Sequence, residues 1–286
     1  MILVTGATGR TGRAIVGALA ARGVAVRALV RRPEAGEGVK ALGAGITVAV
    51  ADLGDAAALA RAAAGARAIY YVAPNMTPDE GLYGANVIAA ARAAGVERLV
   101  FHSVLHTQVQ ALRHHWNRLF VEESIVESGV PYTILQVGSY MQNMLPAWPR
   151  IVETGVHAMA YGVDVPMSLV DLDDVTTAAC TVLADPAYGS GIFELAGPAI
   201  TLRDKAAILS SRLGRPVRAE KLPAEAAIEH ARHAGAGDFA LETMRRMFAH
   251  YDVHGLVGSP KVLGWILGRP PTDFDTFVQR VVSLQK

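Results

Sequence analysis

The sequence holds a single cysteine, Cys180, so it can form neither an internal disulfide nor a cysteine-based zinc site. Such sparing use of thiols suits a reducing compartment, and the expected location is the cytoplasm. Charge is also scarce, at 19% of 286 residues, and nearly balanced: 27 Lys and Arg stand against 26 Asp and Glu, a formal net charge of +1. That balance lacks the clustered excess of one sign that a nucleic-acid or anionic-membrane surface needs. No apolar run approaches the length of a bilayer span before Gly, Arg or Asp breaks it. The opening MILVTGATG has no basic leader and enters a strand at once, so no signal peptide is expected. Short-period repeats and low-complexity linkers are missing as well. What is plentiful is apolar side chain, 51% of residues, which argues against disorder and allows a large unstapled core. The length fits one large domain, or one with a smaller lobe appended.

Strand-like and helix-like stretches alternate. Ile2–Thr5 is a short apolar run of the kind buried on both faces of a sheet. A glycine-rich turn follows, then a helix over Ala14–Ala21 with Ile15, Val16 and Leu19 on one face and Gly23 as its stop. Further strands are expected at Val24–Val30, Thr47–Ala51, Ala68–Val72, Leu99–Phe101 and Tyr132–Gln136. Helices are expected in the alanine-rich stretch 56–68, at Gly84–Ala94 and at Asn117–Glu127. Strands separated by helices imply right-handed crossovers and a doubly wound parallel sheet, the Rossmann class of α/β fold. From about residue 138 the rhythm changes. Met144–Pro149 reads as an apolar loop or broken helix, Ile192–Leu195 as a strand, and Leu202–Leu213 as a helix capped by Thr201 and stopped by Gly214. The expected division is a dinucleotide-binding core over 1–137 and a smaller α+β substrate lobe, mainly 138–286, with the chain crossing back to the core around 165–186.

The turn after the first strand carries the most information. Gly6-Ala7-Thr8-Gly9-Arg10-Thr11-Gly12 has the spacing Gly-x-x-Gly-x-x-Gly between a strand and a helix. In that setting Gly6 permits the tight turn, Gly9 lets the backbone approach a pyrophosphate, and Gly12 lets the helix pack on the sheet. The helix N-terminus then offers N–H groups and a positive dipole end to phosphates. An NAD-selective site places an acid at the end of the second strand to bind the ribose 2′-hydroxyl. Here that strand ends at Arg31-Arg32, with no acid before Glu34. Two guanidiniums, with Arg10 as a third, suit a 2′-phosphate, so NADP is expected over NAD. Asp52 is a candidate acceptor for the adenine amino group, or else a cap for the next helix.

Several stretches, VTGATGRTG, ADLGD, YTILQVGSYMQN, VDLDDVTTAACTVLADP, IFELAGP and LGRPPTDFDTFV, together resemble the NmrA-like branch of the atypical short-chain dehydrogenases/reductases. The resemblance spans nearly the whole chain. It implies a Rossmann core with a C-terminal substrate lobe, a small-molecule substrate, and is compatible with a homodimer. The branch includes NAD(P)H quinone reductases, isoflavone-reductase-like enzymes and catalytically silent NADP-binding sensors. Expected dinucleotide contacts are Gly6, Thr8, Gly9, Arg10, Thr11, Gly12, Arg31, Arg32, Asp52, Leu53, Ala73, Pro74, Asn75, Arg118 and Val137. Expected substrate contacts are Met76, His102, Tyr140, Met141, Asn143, Met144 and Trp148, although the apolar members equally suit a core.

Ordinary short-chain reductases pair a strand-end Ser with a Tyr-x-x-x-Lys helix, the Tyr acting as acid and the Lys holding ribose. Ser103 stands at the strand end here, but His114-x-x-x-Arg118 stands where Tyr-x-x-x-Lys would be. On this reading Ser103 polarises an acceptor oxygen, Arg118 holds the ribose, and His114 or His115 gives the proton. The bland alternative makes the histidines polar residues of a loop at the helix start. His102, His106, His114 and His115 match no zinc spacing, so no metal is expected. The leading expectation is an NADPH-dependent oxidoreductase for a small hydrophobic carbonyl, quinone, enone or imine. The alternative is a non-catalytic NADP(H) sensor acting through a protein partner.

Overall fold

The structure, a computed structural model, describes residues 1–284. Its chain order is β1 (Ile2–Val4), α1 (Arg10–Ala21), β2 (Val26–Val30), α2 (Gly36–Lys40), β3 (Ile46–Val50), α3 (Ala56–Ala63), β4 (Ala68–Val72), α4 (Glu80–Ala94), β5 (Arg98–Val104), α5 (Arg113–Glu127) and β6 (Tyr132–Val137). There follow β7 (Ser139–Tyr140), α6 (Trp148–Thr154), β8 (Val156–Met159), β9 (Met167–Val170), α7 (Leu172–Ala184), β10 (Gly191–Leu195), β11 (Ala199–Ile200), α8 (Leu202–Leu213), β12 (Arg218–Lys221), α9 (Ala224–His233), α10 (Asp238–His254), α11 (Pro260–Leu267) and α12 (Phe274–Ser283).

Two compact units are defined. The first takes Met1–Gln108, His115–Gln136 and Val175–Phe193; the second takes Val109–His114, Val137–Asp174 and everything from Glu194. The seven-stranded sheet has the order β10-β6-β5-β4-β1-β2-β3. Pairing is parallel from β3 through β2, β1 and β4 to β5. This is the Rossmann arrangement, and its strand order reverses between β1 and β4. Its central strands are apolar on both faces because helices cover both, and β1 is buried at every residue. Leu3, Ile69, Leu99 and Ile134 share one core with Tyr71 and Phe101. The two rings stack at 5.1 Å and 20°. Each such fully buried side chain contributes about 1.5–3 kcal/mol of burial.

Several boundaries differ from the sequence expectation for local reasons. The alanine helix stops at Ala63 because Gly65 turns the backbone to φ +72° before β4. β5 runs on to Val104, since His102 and Ser103 continue as buried polar strand residues. α5 begins at Arg113, so His114 and His115 are helical rather than in a loop. The strand expected near Ile192 extends the seven-stranded sheet beyond β6 instead of belonging to a lobe of its own. The second unit is built on a three-stranded sheet, β11-β9-β7, and a parallel β12-β8 pair, with α8 packed on the latter. Thr201 caps α8 through a reciprocal box with Asp204. Buried Asp171 receives Gln142 Nε2 at 2.7 Å and Arg280 at 2.5 Å, and buried Asp174 receives Arg269 at 2.5 Å and the Thr272 N–H at 2.6 Å. These bonds fix the start of α7 and the segment leading into α12. No described helix is long and apolar enough to cross a membrane.

Candidate cofactor site and buried polar network

Parallel pairing brings the C-terminal ends of β1, β2, β3 and β4 to one edge of the sheet. The loops leaving that edge carry Gly6–Gly12, Arg31-Arg32, Asp52-Leu53 and Ala73–Asn75, so the expected first-unit dinucleotide residues other than Arg118 share one rim. At its centre Thr5 ties β1 to β4: its hydroxyl donates to the Val72 carbonyl at 2.9 Å and accepts from the Val72 N–H at 2.8 Å. Gly6 then takes φ +59°, the left-handed region, with Val72 close by. A Cβ at Gly12 would lie 2.2 Å from the Gly6 carbonyl oxygen and 2.9 Å from Ala7 Cα. These are backbone atoms that no rotamer change relieves, so Gly12 is demanded by packing.

Gly9 is different. It caps α1 with φ −78° and ψ 166°, a conformation open to any residue, and an added Cβ would meet only the Gly6 oxygen, at 3.4 Å. Ser, Asp or Asn would cap this helix better. Packing and backbone conformation therefore supply no reason for glycine here. The first turn of α1 contains no acidic residue, so the helix brings no carboxylate of its own to the positive end of its dipole. Thr8 and Arg10 are exposed, Thr11 half-buried.

β2 ends in Arg31 and Arg32, both exposed, and the first carboxylate after them is Glu34. Asp52 is exposed and its Oδ1 accepts from the Gly54 N–H at 2.8 Å, while Asp55 caps α3 through the Ala58 N–H. The capping role once open to Asp52 thus falls to Asp55. Leu53 and Ala73 are buried, Pro74 and Asn75 exposed, and Met76 sits at φ 51°.

The strand-end residues of β5 face inward. Ser103 is fully buried and donates through a short bond to Glu122, whose carboxylate also accepts from Thr107 Oγ1 at 3.2 Å and Gln136 Nε2 at 2.9 Å. Burial pushes the Glu122 carboxyl up, and the hydrogen bonds from Ser103, Gln136 and Thr107 oppose it. Arg118, only 5% exposed, donates from Nε to Glu80 at 2.7 Å and from Nη1 to the His102 carbonyl at 3.1 Å. Burial raises the Glu80 carboxyl against the pull of Arg118, and its Oε2 meets no protein partner. Nearby Tyr71, its hydroxyl likewise unpartnered, is pushed up by burial and by Glu80. His102 bonds Tyr70 Oη through Nδ1 at 2.8 Å, and burial holds it down at about 3, so it is neutral at ordinary pH. His115 is buried with Nδ1 2.6 Å from the Leu105 carbonyl, which requires the proton on Nδ1.

Ser103 and Arg118 thus occupy the expected elements but donate to Glu122, Glu80 and the His102 carbonyl. The carboxylates that hold them were not picked out from sequence. An acid in the first turn of α4 and another midway along α5 carry no local sign of burial.

In the second unit Val137 closes β6, and Met141, Met144 and Trp148 are core residues. Tyr140 is half-buried; Asn143 is exposed and lies 3.4 Å from Ser139 Oγ. His114 is buried in the same unit. Among the described residues no three metal-ligating side chains converge.

A parallel sheet with a glycine turn leading into a helix N-terminus at its switch point defines a Rossmann protein of the dinucleotide-binding type. The chain matches the NmrA-like family over residues 1–274, and it belongs to that family. Among curated relatives, it is 39% identical over 231 residues to the (4-alkanoyl-5-oxo-2,5-dihydrofuran-3-yl)methyl phosphate reductase of Streptomyces griseus subsp. griseus, covering 79% of each chain. It is 30% identical over 287 residues to quinone oxidoreductase 2 of Escherichia coli, covering 99% of each. The crystal structure of an NADPH-dependent quinone oxidoreductase from Escherichia coli, complexed with NADPH, superposes with a TM-score of 0.85 at 30% identity. That match covers 98% of this chain and 99% of the other.

Proposed function

We propose that the chain is an NADPH-dependent oxidoreductase passing hydride to a small hydrophobic carbonyl, quinone, enone or imine. The observation that carries this is Gly9, a glycine with no packing need that caps α1 without a side-chain hydrogen bond. In this reading Gly6 to Gly12 and the α1 N-terminus hold the pyrophosphate, with Thr8 and Thr11 beside it. Arg31, Arg32 and Arg10 receive the 2′-phosphate, Asp52 accepts from the adenine amino group above Leu53, and Ala73–Asn75 border the nicotinamide side; Val137 of the second unit is a further proposed dinucleotide contact. The bound nicotinamide supplies the hydride; the chain supplies orientation and exclusion of water.

We assign Ser103, Glu122, Arg118 and Glu80 to positioning the end of β5 rather than to direct proton transfer, because the Ser103 hydroxyl, Arg118 Nε and Nη1, and Glu80 Oε1 are engaged inside the unit. His115, oriented through Nδ1 by the Leu105 carbonyl, would exchange a proton at Nε2; His114 is the second proton donor. The relatives' names support an acceptor of this kind. A quinone and an acyl dihydrofuranone are both electron-poor conjugated systems, whose reduction needs little acid assistance. Met76, His102, Tyr140, Met141, Asn143, Met144 and Trp148 remain proposed substrate contacts.

The test is NADPH and NADH oxidation across quinones, enones, aldehydes, ketones and cyclic imines beside a direct NADPH titration. Turnover faster with NADPH supports the proposal. Tight binding with no turnover would favour the sensor that acts through a protein partner.

A further inference from the structure

The second unit buries a cation without a counter-charge. Lys205, on α8, is 3% exposed, and among the described residues its Nζ has one protein acceptor, Tyr161 Oη at 3.3 Å, and no carboxylate partner. His157, on β8, is 2% exposed, and neither ring nitrogen meets a protein hydrogen-bond partner. α8 packs on β8, Tyr161 follows that strand, and the charge of Lys205 is felt at His157, which brings the three polar groups into one neighbourhood. Tyr251 of α10 closes against Tyr161 edge to face, at 6.5 Å and 85°, adding no charge.

We propose that Lys205, Tyr161 and His157 form an internal binding site for a small monovalent anion, of halide or formate size. The ammonium brings N–H donors beyond the one spent on Tyr161, and the Tyr161 hydroxyl, accepting from Lys205, has its own proton to give. Neutral His157 donates from whichever nitrogen carries hydrogen. Three donors and one positive charge, with no acid among them, fit an anion and repel a metal ion. Consistent with a missing counter-charge, burial holds Lys205 down at about 8 and His157 at about 3, the latter also feeling Lys205. The site lies within the second unit and does not depend on the proposed activity.

The full chain is unfolded by heat at about pH 7 in bromide, chloride, formate or gluconate at equal ionic strength, and crystals grown in bromide are measured at the bromine edge. The expected results are an anomalous peak in contact with Lys205 Nζ and a midpoint that rises with the small anions but not with bulky gluconate. In Lys205→Met, which keeps length and removes charge, the apparent anion affinity falls at least about ten-fold, the loss expected of one charge-assisted bond. Formate matching bromide places a carboxylate within the class. No bromide peak at Lys205, or a Lys205→Met protein with the parent's anion response, overturns the proposal. If that variant fails to fold, the anomalous map of the parent decides.

Discussion

Gly9→Ser separates what the fold wants from what the ligand wants. The backbone at Gly9 already has extended φ −78° and ψ 166°, and a Cβ there meets only the Gly6 oxygen at 3.4 Å, an ordinary contact. A serine can therefore enter without strain and cap α1, adding a few tenths of a kcal/mol, while reduced freedom of the unfolded chain adds about 0.4–1 kcal/mol. The unliganded protein should be more stable by about 0.6–1.3 kcal/mol in a urea titration. NADPH should bind more weakly, because the new side chain occupies the approach of the pyrophosphate to the loop. Losing one or two charge-assisted bonds of about 1.5–3 kcal/mol predicts a ten-fold or greater rise in Kd. Gly12→Ala is the control. Its Cβ would sit 2.2 Å from the Gly6 oxygen, so it should lose about 1–3 kcal/mol of stability as well as binding. A Gly9→Ser protein that binds NADPH as tightly as the parent would refute the reasoning.

Other outcomes follow from the same geometry. Glu80→Gln strands the buried Arg118 guanidinium and should cost about 3–5 kcal/mol in urea unfolding; a loss under about 1 kcal/mol would mean the pair is not buried as described. Arg31→Ala or Arg32→Ala should weaken NADPH about ten-fold while leaving NADH nearly unchanged, and equal losses for both would remove the 2′-phosphate role. His102 and His157, both held down from 6.5 to about 3 by burial, are neutral in the native state but take up protons when unfolded. Their contribution is present above about pH 6.5 and is lost toward pH 3, at about 1.4 kcal/mol per pH unit each. In His102→Gln the slope of stability between about pH 6 and 4 should be shallower by that amount, and an unchanged slope would place the histidine in water. Ser103→Ala removes one of three donor residues to Glu122, which keeps Thr107 and Gln136. It should lower stability by about 1 kcal/mol with quinone turnover nearly unchanged. A roughly ten-fold loss of turnover at unchanged NADPH affinity would restore a direct role in polarising the acceptor oxygen.

The periodic parts of the architecture were legible in the residues. β4 and α8 fall where the apolar runs and the Thr201 and Gly214 stops placed them, because those signals are local. The membership of β10 in the large sheet was not legible, since Ile192–Leu195 looks the same whichever sheet it joins. At the rim, glycine spacing and the Arg31-Arg32 pair could be read directly, as their meaning lies in the turn and strand end that carry them. The inward turn of Ser103 and Arg118 could not. It depends on Glu122, Gln136 and Glu80 arriving from other elements, and nothing in a linear string marks a carboxylate as buried.

The most direct test of an NADPH-dependent oxidoreductase is consumption of NADPH by the full chain, followed by loss of reduced-nicotinamide absorbance with quinone and enone acceptors. Acceptor-dependent consumption, faster with NADPH than with NADH and diminished by Gly9→Ser, is expected. NADPH bound tightly yet left unconsumed by every acceptor would contradict the assignment.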